Sequence, residues 1–180
     1  MILYVNACMR SESRTDRIAK ALLRKLGGEY AEVKLSGAFA PLTEETLNRR
    51  TALIEAGDYA DPMFDAAKQF AAADVIVIAA PFWDYSFPAD LKVYFENIYV
   101  TGLVSRYGPD GMPVGLCSAK KLYYVTTAGG PYVPAFSYDW VKALAQYAFG
   151  IPETELISAE MLDVDGFDAE QIVADTIAKL

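Results

Sequence analysis

Short apolar runs recur along the chain at Ile2 to Val5, Tyr30 to Leu35, Val75 to Ala80, Leu122 to Thr126 and Leu156 to Ala159. Runs of this length bounded by polar or turn residues predict strands, and apolar residues at three-or-four spacing between them predict helices. The first helical stripe is Ile18, Leu22 and Leu26, and a second, Phe64, Ala67, Phe70 and Ala71, leads into the third strand. Leu91, Tyr94, Phe95 and Ile98 repeat the spacing, as do Val141, Leu144, Ala145 and Ala148, and finally Ile172, Val173, Ile177 and Leu180. Such stripes are core-facing. Val75 to Ala80 shows no polar alternation, as expected of a central strand covered by helices on both faces. Five strand-helix units predict an α/β domain spanning residues 1–180, with a five-stranded parallel sheet in the order 2-1-3-4-5 and helices on both faces.

Two segments exceed a plain unit: Gly37 to Asp61, polar and partly helical, and Gly102 to Ala119, rich in Gly and Pro. Long loops in compact domains usually carry function. No internal repeat, low-complexity tract or linker marks a second domain.

Composition narrows the classes. The 180 residues are 53% apolar, which supplies a sizeable core and excludes a disordered or fibrous chain. No window approaches the roughly 18 apolar residues of a membrane span, so no membrane partner is expected. Met1 to Val5 lacks a basic leader and runs into Asn6 and Arg10, so the expected location is cytoplasmic. Cys8 and Cys117 read as two reduced thiols rather than a disulfide framework. A net charge of −8 argues against a nucleic-acid partner. The chain has no histidine, which removes the commonest general base, the middle member of Ser-His-Asp triads and the imidazole ligands of most catalytic zinc sites. No metal site is expected, and an enzyme built this way would borrow its chemistry from a cofactor, although Asp, Glu, Tyr and Cys could act as acids or bases.

In an open α/β sheet a ligand binds beyond the carboxyl ends of the strands where the strand order reverses, here between strands one and three. Three loops meet there. Asn6 to Arg17 offers Ser11, Ser13 and Thr15 with Arg10, Arg14 and Arg17 where the first helix begins, which suits a phosphate; simple N-capping by Ser13 or Thr15 reads the same residues equally well. Neither a GxGxxG nor a GxxxxGK[ST] pattern is present. Pro81 to Pro88 places Phe82, Trp83, Tyr85 and Phe87 directly after the most buried strand, to meet a flat ligand, a partner subunit or the long loops. Thr126 to Tyr132 carries Gly129 and Gly130, which allow close backbone approach and free N–H groups, as would a plain turn. Phosphate-, ring- and acceptor-binding features at adjoining strand ends together specify an FMN-shaped ligand.

These residues resemble the flavodoxin-fold NAD(P)H-dependent oxidoreductases that include FMN-dependent NADH-azoreductases and NAD(P)H:quinone reductases, over essentially the whole chain. Ala80 to Lys92 is similar to the family stretch in which Pro, an aromatic pair, an amide residue and another aromatic precede a Leu-Lys helix and grip the isoalloxazine. Gly102, Arg106, Tyr107, Gly108, Gly111, Gly115, Lys120 and Lys121 resemble the family loop beside the flavin. Ser13, Arg14 and Thr15 look like its phosphate-binding Ser-x-Ser turn, and Thr127, Ala128, Gly129 and Gly130 like its Ser-Arg-Gly-Gly segment. The resemblance therefore implies a flavodoxin-like fold with Ser13, Arg14, Thr15, Pro81, Phe82, Trp83, Asp84, Tyr85, Thr127, Ala128, Gly129 and Gly130 as cofactor-binding residues. Tyr107 and Tyr132 are the candidates for the substrate pocket. Ala128 stands where azoreductases carry Arg, Asp84 where they carry Asn, and Trp83 where they often carry Tyr, and these departures bear on pocket charge and acceptor preference.

The activity implied is ping-pong reduction of a quinone, azo or nitro compound at the expense of NADH or NADPH, with flavin-borne chemistry, no catalytic side chain and a homodimeric assembly. A flavodoxin-type electron carrier without its own substrate is the competing reading. A phosphoacceptor receiver would need acidic residues after strand one and an Asp ending strand three, where Asn6-Ala7-Cys8 and Ala79-Ala80-Pro81 stand. A hydrolase lacks its histidine and nucleophile elbow.

Overall fold

In the computed structural model, which describes residues 1–180, the chain opens with β1 (Ile2–Asn6), α1 (Arg14–Leu26), β2 (Tyr30–Lys34) and α2 (Glu44–Glu55). A 3-10 turn at Pro62–Phe64 leads into α3 (Asp65–Ala72), β3 (Val75–Ala79) and α4 (Ala89–Ile98), then β4 (Ser105–Tyr107) and β5 (Pro113–Gly115). The chain ends with β6 (Lys121–Thr127), α5 (Tyr138–Ala143), a π-helical segment Leu144–Phe149, β7 (Glu153–Ala159) and α6 (Ala169–Ala178).

The sheet order is β2-β1-β3-β6-β7, all parallel, which is 2-1-3-4-5 once the hairpin strands β4 and β5 are set aside. Side-chain alternation divides the central strands between two cores. Leu3, Val5, Ile76, Ile78, Leu122 and Tyr124 face a core closed by Phe64, Phe70, Leu91, Tyr94 and Phe149. Tyr4, Val77, Ala79, Val125 and Ile157 face the other, closed by Ile18, Leu22 and Leu23 of α1 and Val173 of α6. Central strands are thus apolar on both sides, whereas the edge strand β2 alternates exposed and half-buried residues.

Gly102 to Ala119 is not a plain loop. It holds the antiparallel β4–β5 hairpin, whose three-residue strands are too short to stand out in the sequence. Gly115 makes its docking possible, because a Cβ there would lie 2.1 Å from the Gly150 nitrogen. Gly150 ends the π-helical segment at φ 74°, a conformation that suits glycine. The segment Gly37 to Asp61 is partly helical as expected, forming α2, whose residues are all at least partly exposed.

Register sets the site. Asn6 at the end of β1 lies opposite Lys34 of β2 and Ala79 of β3, so three strands stop level. The Ser13 side chain then starts α1 by accepting from the Asp16 N–H at 3.3 Å, a cap worth about 1 kcal/mol.

Candidate functional site

Backbone pairing continues just past β1 and then stops. The Ala7 N–H donates to the Ala79 carbonyl at 2.8 Å, and the Cys8 N–H to Asn6 Oδ1 at 3.0 Å. The next seven backbone N–H groups, Met9 through Thr15, have no acceptor in the protein. Such groups are rare when buried; here Thr15 is buried while Arg10, Ser11 and Glu12 are exposed, where water takes any N–H group that a ligand does not. Seven in succession, ending on the positive end of α1, form a cradle for an anion.

Several side chains at the start of α1 are already paired. Arg14 donates to Asp163 at 3.1 Å and to the Leu162 carbonyl at 3.4 Å, and Arg17 pairs with Glu170 at 2.7 Å. The buried Thr15 hydroxyl meets that of Thr127 at 2.7 Å, joining the first loop to the end of β6. Cys8 beneath the loop is a neutral thiol, pushed up to about 11 by burial.

The aromatic loop follows β3. Phe82 donates its N–H to the Thr127 carbonyl at 2.9 Å. Trp83 and Ser86 exchange N–H···O bonds of 2.8 and 2.7 Å, closing a two-residue turn. Its central residues, Asp84 at φ 48° and Tyr85 at φ 62°, occupy the left-handed region without being glycine, at a cost of order 1 kcal/mol each. The turn holds Tyr85 out, 67% exposed, with its ring 6.1 Å from Phe82 and 6.3 Å from Phe136. Tyr132 packs edge-on against Phe82 at 4.9 Å.

After β6, Ala128 donates to the Ala159 carbonyl, while the carbonyls of Gly129 and Gly130 accept from Asp163 and Met161. The N–H groups of Gly129 and Gly130 remain free. A Cβ at Gly129 would come within 2.5 Å of Asp163 Oδ2, so a side chain there displaces the exposed Asp163 carboxylate from Arg14. Gly130 has open space and no positive φ, so neither sterics nor backbone demands glycine there.

These segments enclose a cavity of about 790 Å³. Arg10, Arg14, Arg17, Lys20 and Arg24 line it together with Glu12, Asp16, Asp163 and Glu170, and of the five basic residues only Arg10 and Arg24 are not ion-paired. Of the sequence-derived residues, Ser13, Arg14, Thr15, Pro81, Phe82, Trp83, Thr127, Ala128 and Gly129 come together on its wall. Asp84 and Tyr85 do not line it, because the tight turn carries them beyond Trp83, and Gly130 and Tyr132 lie past its edge. Tyr107 is also off the wall, 73% exposed on the β4–β5 hairpin. Sequence reasoning missed Leu162, Asp163 and Glu170, although the rule that pointed to the other strand ends applies equally to the segment after β7.

A family described as having the flavodoxin-like fold matches residues 1–180. The chain belongs to this family. Among the relatives of this flavodoxin-like protein is FMN-dependent NADH:quinone oxidoreductase 2 of Clostridium acetobutylicum, 36% identical over 99% of this chain and 94% of that one. The FMN-dependent NADH:quinone oxidoreductase of Coprothermobacter proteolyticus is 32% identical over 98% of this chain and 94% of its own length. A solved structure of an FMN-dependent NADH-azoreductase from Bacillus anthracis in complex with FMN has a TM-score of 0.81 at 20% identity, covering 99% of this chain and 94% of that chain. That likeness is one of fold. No helix is long and apolar enough to cross a membrane, and no group of three or more metal-ligating side chains is assembled.

Proposed function

We propose that this protein is an FMN-dependent NAD(P)H oxidoreductase that reduces small quinones, azo or nitro compounds, the whole chain forming one FMN-binding domain. The observation that carries the reading is the run of seven unpaired N–H groups from Met9 to Thr15 on the wall of a cavity that also reaches the aromatic loop. The residues present fit FMN. A phosphate satisfies the orphaned N–H groups, with Ser13, Arg14 and Thr15 around it. Phe82 and Trp83 offer faces and edges to a flat ring. Thr127, Ala128 and the free N–H group of Gly129 line the wall where a ring edge would be held, with the free N–H group of Gly130 just past it, and Pro81 lies where the aromatic loop leaves β3.

The chemistry FMN supplies when bound is two-electron transfer between a nicotinamide donor and an organic acceptor. The chain's part is to bind and orient. Its backbone donors hold an anion without charge at the reacting end, and the aromatic loop excludes water from one side of the cavity. Asp84 and Tyr85, just beyond the wall, and Tyr132 against Phe82 border the place where an acceptor would enter, and Tyr107 stands exposed on the β4–β5 hairpin as a further candidate contact. The relatives named above as NADH:quinone oxidoreductases, 36% and 32% identical, support the reading.

The proposal extends to a homodimer. Trp83, Tyr85 and Phe136 are 41, 67 and 58% exposed beside the cavity, and apolar surface of this kind favours cover by a second copy. A monomer by light scattering at micromolar concentration would overturn that part. A cytoplasmic location accords with the two free thiols. The central test is a visible spectrum of protein reconstituted with FMN and mixed anaerobically with NADH, then with a quinone. Bleaching followed by recovery is expected, and absence of a bound flavin band would overturn the function.

A further inference from the structure

Beneath the anion cradle a polar cluster ties three elements together. Asn6, 2% exposed, uses its full side-chain capacity. Its Nδ2 donates to Asp16 Oδ1 at 3.0 Å and Glu32 Oε1 at 2.7 Å, and its Oδ1 accepts from the Cys8 N–H at 3.0 Å and Lys34 Nζ at 3.2 Å. Lys34 Nζ also donates to the Cys8 carbonyl. Asp16 in turn accepts from the Tyr4 hydroxyl at 2.6 Å and pairs with Lys20 at 2.8 Å.

Both main-chain polar groups of Cys8 are therefore held by side chains, one of them from the edge strand β2. The free N–H groups begin at the very next residue and end at the capped first turn of α1. An unsupported loop of this length would aim its N–H groups in many directions, and ordering it on an anion would cost backbone entropy of about 1–2 kcal/mol per residue. Pinning it at Cys8 and at Ser13 removes much of that cost before the anion arrives.

We propose that Asn6 and Lys34 are positioning residues for the phosphate end of the cofactor, acting through the Cys8 peptide rather than by contact. The inference rests on the FMN reading above. It assigns a role to a lysine outside the cavity wall, on an edge strand where its charge serves no core packing.

The test titrates the apoprotein with FMN and with riboflavin, which lacks the phosphate, by quenching of flavin fluorescence. Wild type is expected to prefer FMN. Lys34→Met, a change at an exposed position, is expected to weaken FMN about tenfold, the loss typical of a hydrogen bond to a charged group, while riboflavin stays within about twofold. Asn6→Ala should act in the same direction, and Lys34→Arg should recover most of the FMN preference. Parallel losses for both flavins would assign the cluster a merely structural role and overturn the inference, as would unchanged FMN affinity in Lys34→Met. Wild type that binds no FMN would instead overturn the reading beneath it.

Discussion

The two ends of the cavity are built on opposite principles. The end at α1 presents main-chain N–H groups while two of its arginines, Arg14 and Arg17, are already paired with Asp163 and Glu170. The end at the aromatic loop presents side chains, Phe82 and Trp83, and holds Tyr85 beside them at a left-handed backbone angle. Backbone donors are common to every residue type but proline, so recognition at the first end depends on loop shape. Recognition at the second depends on which side chains the loop carries.

The harshest way to break this contrast lies where the two ends share a wall. Gly129→Val should push Asp163 aside and weaken FMN at least tenfold, from a clash of ~1–3 kcal/mol, whereas Gly130→Ala should leave the dissociation constant unchanged. Equal effects of the two would deny Gly129 its place. Alkali offers a second probe. Burial raises the Cys8 thiol from 9.0 to about 11. A group whose folded-state value is raised contributes stability that is complete below the unfolded value and lost as pH rises through the folded one. Cys8 should therefore contribute a fall of ~2 kcal/mol in unfolding free energy between about pH 9 and 11, beside that of the Cys117 thiol, which burial pushes up to about 12, and Cys8→Ala should remove only the Cys8 share of a denaturant-derived pH profile.

Arg14 sharpens the contrast more finely. As the first residue of α1 it accepts proline without distorting the helix, so Arg14→Pro deletes one cradle N–H together with the guanidinium. It should weaken FMN about tenfold, and Arg14→Ala, which deletes only an already paired side chain, less than about threefold. The reverse order in a calorimetric titration would make the first end side-chain-based. The smallest effect is expected at the turn. Tyr85→Gly relieves left-handed strain and should raise stability by up to ~1 kcal/mol, about 2–4 °C in Tm for a chain of this size, while raising KM for a quinone and sparing FMN affinity. A change in FMN affinity instead would place Tyr85 on the cofactor.

Much of this was legible in the chain itself. Stripes such as Ile18, Leu22 and Leu26 gave the helices, the unbroken Val75 to Ala79 gave the central strand, and the strand-order rule directed attention to three loops that do meet. Less legible were β4 and β5, whose strands are only three residues long and whose docking depends on Gly115 meeting Gly150 across 35 positions of sequence (150 minus 115). Asp163 and Glu170 gave no local signal either, because an acidic residue after a strand looks like any solvated turn until Arg14 and Arg17 are seen opposite it.

Periodicity and composition determine which residues are buried and in which elements, since burial of apolar faces is a local, repetitive requirement. The resemblance to the family lay instead in segments such as Pro81 to Pro88, which carry their pattern within a few residues. Only the tertiary structure decided that seven N–H groups go unpaired, that Lys34 reaches Cys8 from another strand, and that Tyr85 and Tyr107 stand off the cavity wall. Those facts depend on strand register and loop closure, which couple residues far apart in the chain and leave no period behind.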